Sequence, residues 1–470
     1  MKEFLKRLAG FSLGPIIGAI ISVAQIPIMT RLMTSGDYGI FSFFKTLIFQ
    51  IPVFLCIGLD QSFVREYNTS DKKIHIFQQA VVLPLISGLA FFILSVVFSP
   101  QISNWMFGKP DEELMVILGG LWCFMGVIER FIYLIIRMEE RAMAYSKMAI
   151  TIKSTVFILS IVFLLSGMRT YHGPILGLTL ANISVDLVLL YRFRKFFDFR
   201  TFEKDRDLFR RMLKYGVPLI LVIALQAGLN TIDNIFIHAF ASKDDLGIYN
   251  AGLSIVNLFS LITTAFANFW VPTALRWYEE GKDVKHYSFI ADALLAILTI
   301  IYFALMWLSP LVSKVLGPQY RAVEGILGLL AMRHIMTIMS ETTNLGITFE
   351  RRSHYNLVIS ITTFIPGLLI NMVLTPRIGY VGAALATAIS FVVFYLARTF
   401  FSRLCGFKIG QTKQLLTILL MMLSGSWLGL GLAGRNVVLA ACFVGAIIVQ
   451  LPTLKTAKDI RRGKGTWDFR

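Results

Sequence analysis

Fourteen times along this chain of 470 residues, a mostly apolar run of roughly twenty residues or more is closed by a short polar break. A helix of about twenty residues rises about 30 Å, the thickness of bilayer hydrocarbon. The runs lie at 8 to 29, 38 to 62, 75 to 98, 113 to 137, 144 to 166, 172 to 192, 214 to 240, 245 to 272, 287 to 308, 322 to 348, 355 to 375, 379 to 402, 414 to 433 and 436 to 454. Lipid offers no partner for backbone N–H and C=O groups, and none of the runs alternates strictly as a barrel strand would. The expected fold is therefore all-α and integral to a membrane, with about fourteen transmembrane helices. A mean hydropathy of +0.70, with only 16% charged residues, agrees with that reading. Leu8 to Met29 is uncharged, long enough to span and followed by no A-x-A site, so it reads as a retained first helix and not a signal peptide.

The net charge of +17 points to topology before it points to nucleic acid. With an even number of spans both termini share a side. If that side is cytoplasmic, the inner segments hold 31 of the 45 Lys and Arg and the outer loops hold 8, the bias expected of a positive-inside protein. The remaining six lie within spans. The richest inner segment, Tyr191 to Gly216, joins spans six and seven and reads as a cytoplasmic linker whose basic residues suit lipid headgroups. Cys56, Cys123, Cys405 and Cys442 are scattered through apolar runs with no paired spacing and no His nearby, so neither disulfides nor a metal are expected.

Three landmarks recur in order. Asp37-Tyr38-Gly39-Ile40-Phe41 returns as Asp245-Leu246-Gly247-Ile248-Tyr249. Glu140-Arg141 with Tyr145 returns as Glu350-Arg351 with Tyr355. Gly173 with Ile183-Ser184 returns as Gly379 with Ile389-Ser390. The offsets are 208, 210 and 206, which predicts two copies of one six-helix bundle in the same orientation, an architecture of secondary transporters. The expected organisation is a first bundle over 1–194, a cytoplasmic linker over 195–213, a second bundle over 214–403, two extra helices over 404–454 and a basic cytoplasmic tail over 455–470.

The opening stretch "LKRLAGFSLGPIIGAIISVAQIPIMTRLMTSGDYGIFSFF", followed by "GLDQSFVREY", resembles bacterial Wzx-type polysaccharide flippases of the multidrug/oligosaccharidyl-lipid/polysaccharide exporter superfamily. The resemblance implies two six-helix bundles that alternate between inward-open and outward-open states. It implies translocation of undecaprenyl-pyrophosphate-linked oligosaccharides from the cytoplasmic to the periplasmic leaflet for O-antigen or another surface polysaccharide. The membrane is then the bacterial inner membrane, and the partners are the lipid-linked oligosaccharide, membrane lipids and other polysaccharide-assembly proteins. In the related peptidoglycan-precursor flippases the two extra helices are associated with a groove for the lipid tail. The charged constellation in the first helix of those proteins is absent here, since Leu8 to Met29 carries no charge.

Ionisable side chains inside spans are costly in hydrocarbon and mark polar interiors. The basic ones are Lys45, Arg130, Lys147, Lys153, Arg333 and Arg398, with Asp60, Glu129, Asp186, Asp233, Asp292 and Glu341 as acidic companions. Lys45, Lys153 and Arg333 lie too deep to snorkel, and with Arg130 they are the expected cationic lumen for a pyrophosphate. Lys147 and Arg398 lie near cytoplasmic ends and read as snorkelling. Sugars call for amides, hydroxyls and aromatic faces, supplied by Gln25, Gln50, Asn230, Asn234, Asn257, Asn268, Trp270 and Asn344. No phosphate-cradling Walker loop occurs in the sequence, so ion or proton coupling through Asp233 or Glu341 is expected, with His334 a weaker relay. Gly14-Pro15 and Gly216-x-Pro218 read either as gating bends or as close-packing points, and Gly14 to Gly18 fits GxxxG. No enzymatic role or cofactor is expected, because the longest outer loop, Ser99 to Glu112, is too short for a catalytic domain. The alternative is a drug or metabolite exporter of the same superfamily, which would be expected to stop at twelve spans and to bind cations with acidic residues.

Overall fold

The computed structural model describes residues 2–69, 72–350, 352 and 354–462, and every regular element among them is helical. Arg351 of the second landmark and residues 463–470 of the basic tail lie outside the described residues. The helices are α1 (Lys2–Leu32), α2 (Ser35–Leu55), α3 (Leu59–Glu66), α4 (Lys73–Val97), α5 (Ser99–Phe107), α6 (Glu113–Met138), α7 (Ala142–Leu165), α8 (His172–Arg192), α9 (Arg206–Phe240), α10 (Lys243–Val256), α11 (Phe259–Glu279), α12 (Val284–Leu316), α13 (Val323–Thr343), α14 (Leu345–Phe349), α15 (Tyr355–Leu404), α16 (Thr412–Gly429) and α17 (Arg435–Arg461). They divide into two compact units, residues 1–231 and 232–470. The border falls inside α9, because its first half is tied to α3: Ser62 Oγ donates to the Met212 carbonyl at 2.7 Å, and Gly216 meets Gly58 backbone to backbone.

Twelve stretches among the described residues are long and apolar enough to cross a membrane, against the fourteen expected. One reason is α15, hydrogen-bonded as 50 residues but broken at Ile378 and Gly379 (φ +54°). Asn371 and Thr387 both reach the same carboxylate, that of Asp233. Sixteen residues of straight helix would hold them about 24 Å apart, so α15 is a hairpin of two legs, matching the separate spans expected at 355 to 375 and 379 to 402. The other reason is α16, which at 18 residues is shorter and more polar than the span expected at 414 to 433. Two expected spans are also interrupted. The second ends in a turn at Cys56 to Gly58, with Ile57 and Gly58 both at positive φ. The eighth breaks between α10 and α11 at Asn257-Leu258.

In the first unit, small residues set helix spacing, as expected where lipid removes the hydrophobic drive between helices. The Gly14 N–H donates to Ser146 Oγ at 2.8 Å, and a Cβ on Gly14 would stand 2.6 Å from Ser146 Cα. One turn on, Gly18 faces the Lys153 stem, so the GxxxG pair of α1 is a seam against α7. The linker after α8 is docked and not loose. Phe196 and Phe197 pack edge-on against Phe77 of α4, while Gln78 and Gln79 donate to the carbonyls of Asp198 and Glu203 at 2.7 and 2.5 Å.

The duplicated landmarks occupy matching places within their own units. Thr34 caps α2 by accepting the Asp37 N–H, and Asp37 in turn accepts the Tyr171 N–H at 3.3 Å, two residues before Gly173. Ser242 and Asp245 form a capping box at α10, and Asp245 lies against Gly379, where a Cβ would meet its Oδ2 at 3.1 Å. Each acidic residue thus joins the start of the unit's second long helix to the start of its sixth, which is the pseudo-symmetry expected of two related bundles. In the second unit α16 and α17 are fastened to α12 and α13 by polar pairs: Lys413 with Asp292 at 2.9 Å, Arg435 with Glu324 at 2.8 Å, and Gln450 with Thr299 at 2.8 Å.

Candidate functional site

α2, α6 and α7 bring three charged side chains to one cavity of the first unit. Lys45, Glu129 and Lys153 line it together with Gln25 and Asn182. None of the three makes an ion pair or hydrogen bond among the described residues; Lys153 Nζ stands only over the Phe49 ring, 5.5 Å from its centroid. Unpartnered charges are costly in a bilayer unless they face a polar, ligand-accepting space. Phe49, Glu129 and Tyr133 continue into an adjoining groove lined also by Trp122, Gln61, Arg130 and Arg137, and Arg130 and Gln61 continue into a third space with Gln50 and Asn230.

Arg130 differs from the two lysines. Its Nε and Nη2 both donate to Asp60 Oδ2, at 2.9 and 2.5 Å, and Gln61 adds a third donor at 2.9 Å. Asp60 is 1% exposed and Arg130 33%, so the guanidinium is anchored at one end and open to the groove at the other. Asp186 on α8 is buried, and neither of its carboxylate oxygens has a hydrogen-bond partner. Nothing in its sequence context separates it from a paired acid, because the signal is the lack of a hydrogen-bond donor, which only packing reveals.

In the second unit the expected coupling residues are enclosed. Asp233 is buried and accepts from Asn371 at 2.7 Å, Thr387 at 2.7 Å and Tyr249 at 2.8 Å. Asn234 beside it accepts from Asn250 at 2.6 Å. Arg333 lies half-buried with its guanidinium 5.3 Å from the centre of Phe391. Glu341 is paired with Arg398 at 2.7 Å, which corrects the snorkelling expected of that arginine: its head is drawn inward by Glu341 and by Ser340 Oγ at 2.7 Å. His334 meets the Asn257 side chain at 3.1 Å, a packed polar contact. Trp270 is not a sugar-facing ring. It is 1% exposed in a cluster with Trp277, Tyr287 and Phe407, its Nε1 donating to the Glu341 carbonyl. Gly216 serves contact and not bending, since a Cβ there would stand 2.7 Å from the Gly58 carbonyl oxygen.

These helices and this interior define a multi-pass membrane protein with the fold of flippases and multidrug transporters. The lipid II flippase MurJ in an inward-closed conformation superposes with a TM-score of 0.67 at 15% identity, covering 96% of this chain and 99% of that one. An inward-facing multidrug resistance MATE family transporter of the MOP superfamily gives 0.60 at 15% identity, covering 83% and 99%. In sequence, an uncharacterized membrane protein of Methanocaldococcus jannaschii is 22% identical over 453 residues, 89% of this chain and 87% of that one. Residues 4–277, more than half of the chain, match the polysaccharide biosynthesis protein family, and the chain belongs to that family.

Proposed function

We propose that this protein is a flippase that moves undecaprenyl-pyrophosphate-linked oligosaccharide units from the cytoplasmic to the periplasmic leaflet of a bacterial inner membrane, by alternating access, for O-antigen or another surface polysaccharide. The observation that carries the reading is the pair of lysines, Lys45 and Lys153, that line one cavity with no hydrogen bond or ion pair among the described residues. Two ammonium groups beside the amides of Gln25 and Asn182 replace part of a pyrophosphate's hydration shell. A cation exporter calls for the opposite balance of charge. Arg130 and Arg333 complete the proposed cationic lining.

The topology we propose has fourteen crossings and cytoplasmic termini, with the two bundles at 1–194 and 214–403. Asp233 and Glu341 are the proposed ion- or proton-coupling groups, and Asp233, held by three neutral donors, is the stronger of the two. Membrane lipids and other assembly proteins are the proposed partners. The test is deletion with complementation, tracking surface polysaccharide and lipid-linked units on the cytoplasmic face. Undiminished surface polysaccharide with no build-up of lipid-linked units refutes the flippase reading.

A further inference from the structure

Phe49 is an apolar ring in a polar place. It is 43% exposed, yet the space it faces is lined by Gln61, Glu129, Arg130 and Arg137, groups that hydrocarbon excludes. Its orientation is fixed from one side by Trp122, edge-to-face at 5.0 Å and 87°. Tyr133 in the same groove is held edge-to-face by Tyr145 at 5.1 Å. The cavity measures about 350 Å³, near the lower end for ligand sites, which suits one or two sugar rings and not a whole repeat unit.

A pyranose has an apolar C–H face and a rim of hydroxyls. An exposed aromatic face flanked by a carboxylate, an amide and a guanidinium matches both. We propose that the groove built on Phe49, Glu129 and Tyr133, with Gln61 and Arg137, is a saccharide subsite that seats the sugar bonded to the pyrophosphate. This rests on the flippase reading above and adds to it the place of the first sugar. Phe49, Glu129 and Tyr133 also line the cavity of Lys45 and Lys153, so the two subsites share a wall, as a sugar joined directly to a phosphate requires. The sugar ring lies on Phe49, and Glu129 accepts from its hydroxyls. The phosphates lie toward the lysines.

The test uses the full-length protein in a deletion strain. Phe49→Leu, present in the membrane at the wild-type amount, is expected to lower surface polysaccharide about tenfold and to accumulate lipid-linked units. Phe49→Tyr, which keeps the aromatic face, is expected to restore it to near the wild-type level. Lys153→Met, by contrast, is expected to weaken binding of inorganic pyrophosphate by the purified protein. Should Phe49→Leu fail to reach the membrane, Glu129→Gln, which keeps the shape and removes the charged acceptor, is read in the same way. If Phe49→Leu, or Glu129→Gln in its stead, supports full polysaccharide export while the deletion strain has none, the subsite is overturned and the flippase reading stands. If the deletion strain itself keeps its polysaccharide, both fall.

Discussion

The Arg130–Asp60 pair separates a strut from a substrate contact, and the two roles predict different double mutants. Asp60 is 1% exposed and its Oδ2 takes both donors of Arg130. Removing one partner from a buried pair costs about 3–5 kcal/mol. With a third of the guanidinium exposed, solvent screening lowers this to about 2–3 kcal/mol for Arg130→Met, which leaves the buried carboxylate without its cation. Asp60→Asn should cost less, because the amide oxygen still accepts and the arginine head can turn to water. At roughly 2–4 °C per kcal/mol for a unit of this size, Arg130→Met should lower the melting temperature by about 5–10 °C. Cys56, Cys123 and Cys442 are buried and free, so the fluorescence of a thiol-reactive dye on heating reports unfolding directly. The double variant Asp60→Asn/Arg130→Met should lose less than the sum of the singles, with a coupling of about 1–3 kcal/mol. Export should stay impaired in the double variant as in Arg130→Met, because the proposed lining needs the guanidinium itself. Strict additivity in melting temperature refutes the strut, and a double variant that regains export refutes the substrate contact.

Asp186 carries a buried carboxyl with no hydrogen-bond partner, so Asp186→Asn should leave the melting temperature unchanged or raise it, unlike an ordinary buried acid. Gly58 sits at φ +69° with the Gly216 carbonyl 2.2 Å from where a Cβ would lie; Gly58→Ala adds backbone strain to overlap and should cost about 2–4 kcal/mol, seen as a large drop in the same dye assay. At the start of α9, the Leu208 N–H donated to Asp205 at 2.9 Å holds that carboxyl below its usual range. Its stabilisation is therefore present above the unfolded value of about 3.9 and lost as pH falls through the lower folded one. Hydrogen exchange at Leu208 should accelerate in Asp205→Asn at neutral pH, and the difference from wild type should vanish in strong acid.

Fourteen apolar runs made the all-helical membrane fold legible, because lipid leaves a spanning segment few alternatives. The duplicated landmarks were legible for a related reason. A capped turn needs Asp at one place, while a close approach at Gly173, where a Cβ would meet the Met168 carbonyl, and a positive φ at Gly379 each need Gly, so Asp37 and Asp245, and Gly173 and Gly379, keep their residue types. What escaped reading was pairing across helices. Arg398 reads as an interfacial arginine until Glu341 of another helix is placed 2.7 Å away, and Trp270 reads as a sugar platform until Trp277 and Tyr287 close over it. Breaks inside runs escaped as well, since Cys56-Ile57-Gly58 is as apolar as a continuous helix requires and a single Asn257 does not by itself mark a helix end.

The two units show why a shared skeleton need not mean a shared task. In the second, every acid singled out for coupling has found donors: three neutral groups on Asp233, an arginine on Glu341. A fully donated carboxylate can stay charged in a dry place, and it responds to whatever displaces a donor. In the first, Lys45, Lys153 and Glu129 face a shared cavity with no hydrogen bond or ion pair among the described residues, an arrangement that becomes favourable once an anion of matching shape arrives. In the function proposed above, the two lysines of the first unit bind the anion and Asp233 of the second couples its transport. Swapping their character tests this division. Lys153→Met should weaken binding of inorganic pyrophosphate by the purified protein, while Asp233→Asn should leave that binding intact and reduce export in cells. If Asp233→Asn loses pyrophosphate binding as Lys153→Met does, the division of labour between the units is wrong.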